Sequence, residues 1–198
     1  RIRQGIDGFP MLMFQDDGNG PKFIGKYNFN NDKGTPEVFG FSEGDESWEQ
    51  CNNTSARSLW KSDDFSNDDW KNDFEARYPE DNTDITNLHE LSKWIVSTDT
   101  TAATNAALPE SVTYNDVTYT NDTAEYRLAK FRNEFDTIFD KDSTLFYYLF
   151  TELFLMVDSR TKNAFPTFFN GHKWIWLPYD MDTAMGINNE GALVFGYS

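Results

Sequence analysis

Residues 151–186 read TELFLMVDSRTKNAFPTFFNGHKWIWLPYDMDTAMG, and the order of patterns inside this stretch decides the fold. An apolar run ends at Val157, a polar loop runs from Asp158 to Asn163, and two aromatic and β-branched runs, Ala164 to Phe169 and Trp174 to Leu177, flank Asn170-Gly171. Asn-Gly between such runs is a strong signal for a two-stranded antiparallel hairpin, because both residues tolerate the positive φ angles of the favoured turn. Strands of about five residues, at roughly 3.3 Å per residue, run out and return. Pro178-Tyr179-Asp180-Met181-Asp182 is therefore expected to land beside Asp158 and Asn163.

Upstream of the loop, Leu145 to Val157 is apolar on nearly all sides behind Asp142 or Ser143 as a cap, which predicts a helix in the middle of an all-helical lobe. Thr123 to Phe139 predicts another, with Leu128, Phe131, Phe135, Ile138 and Phe139 on one face. Ile85, Leu88, Leu91, Trp94 and Ile95 recur at three- and four-residue steps behind Asp84, a good N-cap, and the Thr/Ala/Asn-rich stretch from Ser97 to Asn105 ends that helix. Between these helices, Val112 to Thr120 reads as a small hairpin or a loop around Asn115-Asp116.

Nearer the N-terminus, Met11 to Phe14 and Phe23 to Phe29 form a hairpin across a turn rich in Asp, Asn and Gly, and Val38 to Phe41 adds a third strand. Residues 42–83 are polar but carry Trp48, Trp60, Phe65, Trp70, Phe74 and Tyr78, too many aromatics for a linker. They read as an irregular, packed insertion. The expected fold is α+β in one domain over 1–198, with a partial β lobe at 1–41, the insertion at 42–83 and a helical lobe at 84–198. A start at Arg1 without Met and a stop just after an apolar stretch suggest a piece of a longer protein.

Composition narrows the partners. A formal charge of −16 together with 18 Phe, 9 Tyr and 6 Trp describes an aromatic core under an acidic surface. The 17 Lys and Arg are scattered, so no basic patch offsets this field, and nucleic acid and anionic membranes are excluded as main partners. The same field repels a nucleotide, so an ATP site here demands divalent cations as bridges. The longest apolar run is too short to span a bilayer, and the chain reads as soluble. Cys51 is the only cysteine and reads as a packing residue; Lys22, Lys26 and Lys33 read as solvated surface lysines, though each is available as a substitute for a nucleotide-binding lysine.

The loop and the hairpin exit carry the chemistry. Phosphoryl transfer needs positioning and neutralisation of clustered negative charge, and magnesium prefers carboxylate and amide oxygens. Asp158 and Asn163, five residues apart on one loop, can divide the labour: Asp158 takes a hydroxyl proton or orients the nucleophile, and Asn163 binds metal. A further Asp across the hairpin, Asp180 or Asp182, completes the cage. Protein kinases use this layout. An EF-hand outline at Asp140, Asp142 and Glu152 fails because Leu145 stands where that loop needs Gly. His89 and His172 have no ligand spacing.

The stretches FTELFLMVDSRTKNAF and KWIWLPYDMDTAMG resemble the catalytic loop and the Pro-aromatic-Asp-x-Asp ending of the CotH kinases, and GFPMLMF with FIGKYNF is similar to an earlier strand-turn segment of that family. The resemblance covers about half of the chain, at residues 10–30 and 130–190. It implies a protein-kinase-like fold, ATP with Mg2+ or Mn2+, and phosphorylation of protein Ser or Thr. Asp158 would then be the catalytic Asp, Asn163 a metal ligand, and one of Asp180 and Asp182 the metal Asp, with Asp180 standing directly at the strand's end. The chain departs from the family in showing no phosphate-binding glycine-rich loop, and the nucleotide-binding lysine with its helix partner would lie before Arg1. The competing reading is a kinase-like module kept for structure or interaction, with neighbouring subunits of a spore coat, virion or other extracellular assembly as partners. A third is a glycan-binding surface built on exposed Trp.

Overall fold

The computed structural model describes residues 8–51, 73–100, 108–121, 123–156, 159–160, 162–169, 173–181, 183–188 and 190–194. Within them the chain is α+β, with antiparallel sheets and helices in the order β1 (Gly8–Asp16), β2 (Pro21–Asn30), α1 (Pro36–Phe39), β3 (Glu46–Gln50), β4 (Phe74–Tyr78), α2 (Thr86–Thr98), β5 (Ser111–Tyr114), β6 (Val117–Thr120), α3 (Ala124–Ile138), α4 (Lys141–Leu153), β7 (Phe165–Phe169) and β8 (Lys173–Leu177). No helix among the described residues is long and apolar enough to cross a membrane.

The expected hairpin after the polar loop is present, with β7 and β8 paired from Phe165↔Leu177 to Phe169↔Lys173. It is one half of a four-stranded sheet in the order β4-β3-β7-β8, with β7 inside and β8 at the edge. Strand alternation gives this sheet two buried faces. Trp48, Phe74, Trp174 and the partly buried Phe168 and Trp176 pack against Leu88 and Leu91 of α2 and Phe139 at the end of α3. Phe165, Ile175 and Leu177 point the other way, into a cluster with Phe39, Phe41, Tyr78 and Tyr179.

Two of these strands come from the segment read as an irregular insertion: β3 and β4 belong to the central sheet, and residues 52–72 lie outside the described residues. The strand at Glu46–Gln50 escapes a hydrophobicity pattern because its inward residues are polar. Ser47 is fully buried and meets Thr167 of β7 through a 2.9 Å hydroxyl–hydroxyl hydrogen bond, and Glu49 is buried in ion pairs. Val38 to Phe41, expected as a strand, instead contributes to the single helical turn α1. Pro36 stands in the first turn, where its missing N–H is no loss, and Gly40 closes the turn in a left-handed conformation at φ 79°.

The longer helices stand near their predicted places. The Asp84 carboxylate accepts from the Thr86 N–H at 3.0 Å, Thr123 Oγ1 accepts from Tyr126 N–H at 3.1 Å, and Asp140, not Asp142 or Ser143, caps α4 through the Ser143 N–H at 2.8 Å. At the far end of α2, the buried Arg127 of α3 donates to the carbonyls of Val96 at 2.9 Å and Asp99 at 3.2 Å. The stretch 112–120 is a hairpin, β5–β6, with Asn115 and Asp116 both at positive φ.

One expectation fails at α4. It stops at Leu153 rather than Val157, and it does not run through the centre of a helical lobe: Tyr147 and Thr151 are buried, while Leu145, Phe146, Tyr148, Leu149 and Leu153 are exposed. Trp176 of β8 covers the Tyr147 side of the helix. β1 and β2 likewise pack mainly on each other, leaving Phe9, Leu12, Phe14 and Phe23 more than half exposed.

Candidate functional site

The end of α4 sets the geometry of the polar loop. Leu155 sits at φ 47°, its N–H donates to the Glu152 carbonyl at 3.1 Å, and the Met156 N–H donates to the Thr151 carbonyl at 3.0 Å. This is the paired-hydrogen-bond helix stop that ordinarily uses glycine at the left-handed position. It turns the chain sharply, and Ser159-Arg160 doubles back on the helix that has just ended. Tyr147 of α4 donates its hydroxyl hydrogen to the Ser159 carbonyl, and Arg160 donates from Nε to Thr151 Oγ1 at 2.9 Å while pairing with Glu152 at 2.5 Å. The Arg160 guanidinium lies 4.6 Å over the Tyr148 ring.

Asn163 ends the loop at φ 51° and is 8% exposed. Its N–H donates to the Gln50 carbonyl at 3.0 Å and the Gln50 N–H donates to the Ala164 carbonyl at 2.8 Å, which locks the loop's end to β3. Across the hairpin, β8 delivers Tyr179 and Asp180, the latter exposed and at φ 53°. The return meets the loop: Ser159 Oγ donates to Met181 Sδ at 3.3 Å, and the Met185 and Gly186 N–H groups donate to the carbonyls of Phe154 and Leu155 at 2.5 and 2.9 Å. The hairpin thus brings the segment holding Asp180 onto the foot of α4, as its length predicted. Asp158 and Asp182 lie outside the described residues.

Leu155, Asn163, Asp180 and Met185, all at positive φ without being glycine, stand on the chain segments that meet here. Such conformations persist only where surrounding structure holds them, and they gather at functional sites.

A second group of charges flanks this convergence, and it contains the residue that the sequence misjudged. Lys33 is not a solvated surface lysine. Its ammonium forms an ion pair with the buried Glu49 of β3, 5.6 Å from the centre of the Phe165 ring and 5.8 Å from that of Tyr179. Arg77 of β4 donates from Nε to the same Glu49 oxygen at 2.5 Å and pairs with Glu75. Gly34 makes this possible: a Cβ there would stand 2.2 Å from the Arg77 carbonyl oxygen, so only glycine lets the turn carrying Lys33 lie against β4. Asp32 shapes that turn by accepting from the Gly34 N–H at 2.9 Å. Lys22, by contrast, is an exposed partner of Asp17 at 2.8 Å.

Electrostatics ties the two groups together. Burial pushes the Tyr179 phenol up, and the negative charges of Asp32, Asp180 and Glu49 push it further, against the opposing charge of Arg77. Cys51 is pushed up to about 11, first by burial and then by Glu49 and Glu75. The ligand atoms of Glu49, Cys51 and Glu75 lie within 4.8 Å of one another. A cation there would compete with Lys33 and Arg77, which already neutralise the carboxylates.

Lys33 places a fixed positive charge held by a buried acid beside Tyr179, while Asn163, at the end of the loop, and Asp180, after β8, carry an amide and a carboxylate oxygen on segments that meet near the foot of α4. The signal for Glu49 was the alternation Ser47-Trp48-Glu49-Gln50-Cys51, polar residues stepping by two beside an aromatic, which is a strand pattern with a polar inner face. Compared with known proteins, the chain matches no family model, no curated protein and no solved structure.

Proposed function

We propose that this chain has a protein-kinase-like, CotH-like fold and is a phosphotransferase that uses ATP with Mg2+ or Mn2+ and passes a phosphoryl group to a protein Ser or Thr hydroxyl. The observation that carries the reading is the return of the Tyr179-Asp180-Met181 segment onto the Ser159 loop, with Lys33 and Glu49 beside Tyr179. The chemistry of the residues fits the implied group: Asn163 and Asp180 would hold the ion through oxygens of the kind that Mg2+ and Mn2+ take, with Asp182 as the alternative carboxylate. When bound, the divalent ion supplies neutralisation of the phosphate charge that an acidic protein of −16 cannot itself provide.

The chain's own residues have separate tasks in this reading. Asp158 holds the acceptor hydroxyl and takes its proton. Lys33, oriented by Glu49, places a positive charge toward the phosphates, a role for which the sequence suggested a lysine before Arg1. Tyr179 and Phe165 cover part of the lysine, which strengthens its field.

Melting curves of the protein with and without ATP test this. ATP with MnCl2 or MgCl2 is expected to raise Tm, and Asp180→Ala and Asp158→Ala each to abolish the rise while leaving the nucleotide-free Tm within a few degrees. An unchanged Tm in the unsubstituted protein sinks the reading.

A second reading, a kinase-like module serving structure or interaction, is favoured by the apolar surface of β1–β2 and α4, where Leu12, Leu149 and Leu153 are each more than half exposed. It predicts that ATP leaves Tm unmoved.

A further inference from the structure

α4 carries its polarity inverted. Ser143, Tyr147 and Thr151, four residues apart, form the stripe that is buried against the rest of the protein. Leu145, Leu149 and Leu153 form a second stripe with the same spacing, displaced by two residues and therefore by roughly 200° around the helix. These leucines are 46%, 63% and 64% exposed. A surface helix ordinarily turns its leucines inward and its hydroxyls to water, and one that is apolar on both sides has two faces to cover. On the inner side, Trp176 stacks on Tyr147, and the Tyr147 and Thr151 hydroxyls donate to the carbonyls of Ser159 and Tyr147. The outer side is the more apolar of the two.

This outer face suits its own copy. Leucines four apart form one ridge, and such ridges interdigitate between packed helices. The row is symmetric about Leu149. An antiparallel twofold therefore sets Leu149 beside the second copy's Leu149, and Leu145 beside its Leu153, which is the self-complementarity that an isologous interface requires. Charge permits the contact. The chain carries −16, but the charged side chains of α4 are Lys141, Asp142 and Glu152; Lys141 offsets Asp142, and Arg160 pairs with Glu152. Area is sufficient for a weak association. With Phe146 and Tyr148, α4 leaves five large side chains about half exposed, on the order of 450 Å² a copy. Met185, whose N–H donates to the Phe154 carbonyl at the foot of the helix, is also more than half exposed and brings a pair of copies to roughly 1,000 Å², the low end of specific interfaces.

We propose that α4 is the contact of a weak homodimer, paired antiparallel with α4 of a second copy about a twofold axis at Leu149. This stands apart from phosphotransfer, because the leucine row lies opposite Tyr147, the residue that holds the Ser159 loop.

Sedimentation velocity of the chain at roughly 2 to 200 µM in about 150 mM NaCl tests it. The expected result is a rise from one copy toward two over that range. Leu149→Glu places two like charges on the axis and is expected to weaken dimerisation by about tenfold or more. Leu12→Glu, on the exposed apolar hairpin β1–β2, is expected to leave it unchanged. Far-ultraviolet circular dichroism of both variants must match that of the unsubstituted chain. Register is read with a short bis-maleimide, the unsubstituted chain with Cys51 alone serving as baseline. Leu149→Cys is expected to cross-link to itself, and Leu145→Cys and Leu153→Cys to link with each other in a mixture far better than either does alone. A chain that sediments as one copy at every concentration overturns the proposal and leaves the leucine face to a different protein. So does a dimer that Leu149→Glu leaves intact or Leu12→Glu abolishes, which would move the contact to another surface. Equal cross-linking of Leu145→Cys alone and in the mixture overturns the antiparallel pairing. The ATP-dependent rise in Tm is expected in Leu149→Glu as in the unsubstituted chain, so this proposal and the phosphotransfer reading fail separately.

Discussion

Glu49 is the residue on which the charged half of the site turns. It is 6% exposed and holds both Lys33 and Arg77, which come from 16 and 28 residues away along the chain. Replacing it by Gln removes the charge, keeps the shape, and leaves two partly buried cations without a counter-ion. Glu49→Gln is expected to lower stability by about 2 kcal/mol, read as a lower urea midpoint at unchanged m-value. Cys51, just past the end of β3, titrates late because burial and the charges of Glu49 and Glu75 favour the thiol. Its folded pKa, about 11, lies above the ordinary 9.0, so the stability it contributes is complete below pH 9 and lost as pH rises through 11. Alkylation by iodoacetamide in the folded protein should therefore keep accelerating up to about pH 11. In 6 M urea the same reaction should level off near pH 9 to 10. Asn163 and Asp180 were legible as candidates from residue type and spacing. Lys33 was not, because nothing within its turn announces a partner on another strand.

At the scale of elements, the stop of α4 is a strained feature, and it is the one that aims the loop. Leu155 takes the left-handed conformation that glycine adopts without steric conflict. Leu155→Gly is expected to raise stability by about 1 kcal/mol, offset in part by lost packing of the half-buried leucine, and to show as a higher Tm. A fall in Tm would mean that the Leu155 side chain, not its backbone, holds the loop. The hairpins were readable because Asn-Gly and Asn115-Asp116 state their turns locally, and α2 and α3 because apolar residues recur at helical spacing. β3 and β4 were not: on one face of β3 the buried residues, Ser47 and Glu49, are polar, and the Thr167 hydroxyl, Lys33 and Arg77 make that burial tolerable, while β4 sits at the end of the stretch read as irregular. The apolar run of α4 was read correctly as a helix and misplaced, since apolarity on all sides states what a helix prefers to bury and not which neighbours exist to bury it.

Over the whole molecule, the acidic excess acts against compactness. With 33 Asp and Glu against 17 Lys and Arg, like charges repel at every separation shorter than the screening length. Raising NaCl from about 20 mM to about 500 mM, which shortens that length from roughly 20 Å to 4 Å, is expected to raise Tm by about 3 °C, measured by differential scanning calorimetry. A fall would show that specific pairs such as Lys33–Glu49 and Arg77–Glu49 outweigh the general repulsion. What the sequence by itself determined is everything carried by near neighbours along the chain: the helix stripes, the turns, the length of the β7–β8 hairpin and hence the meeting of Asp180's segment with the loop after α4. What only the tertiary structure decided is which distant segments share the central sheet, and therefore that Lys33, Glu49, Arg77 and Tyr179 form one group. The reason is physical: turn and helix signals come from backbone preferences within a few residues, whereas a buried ion pair is favourable only once packing has removed water from both of its partners.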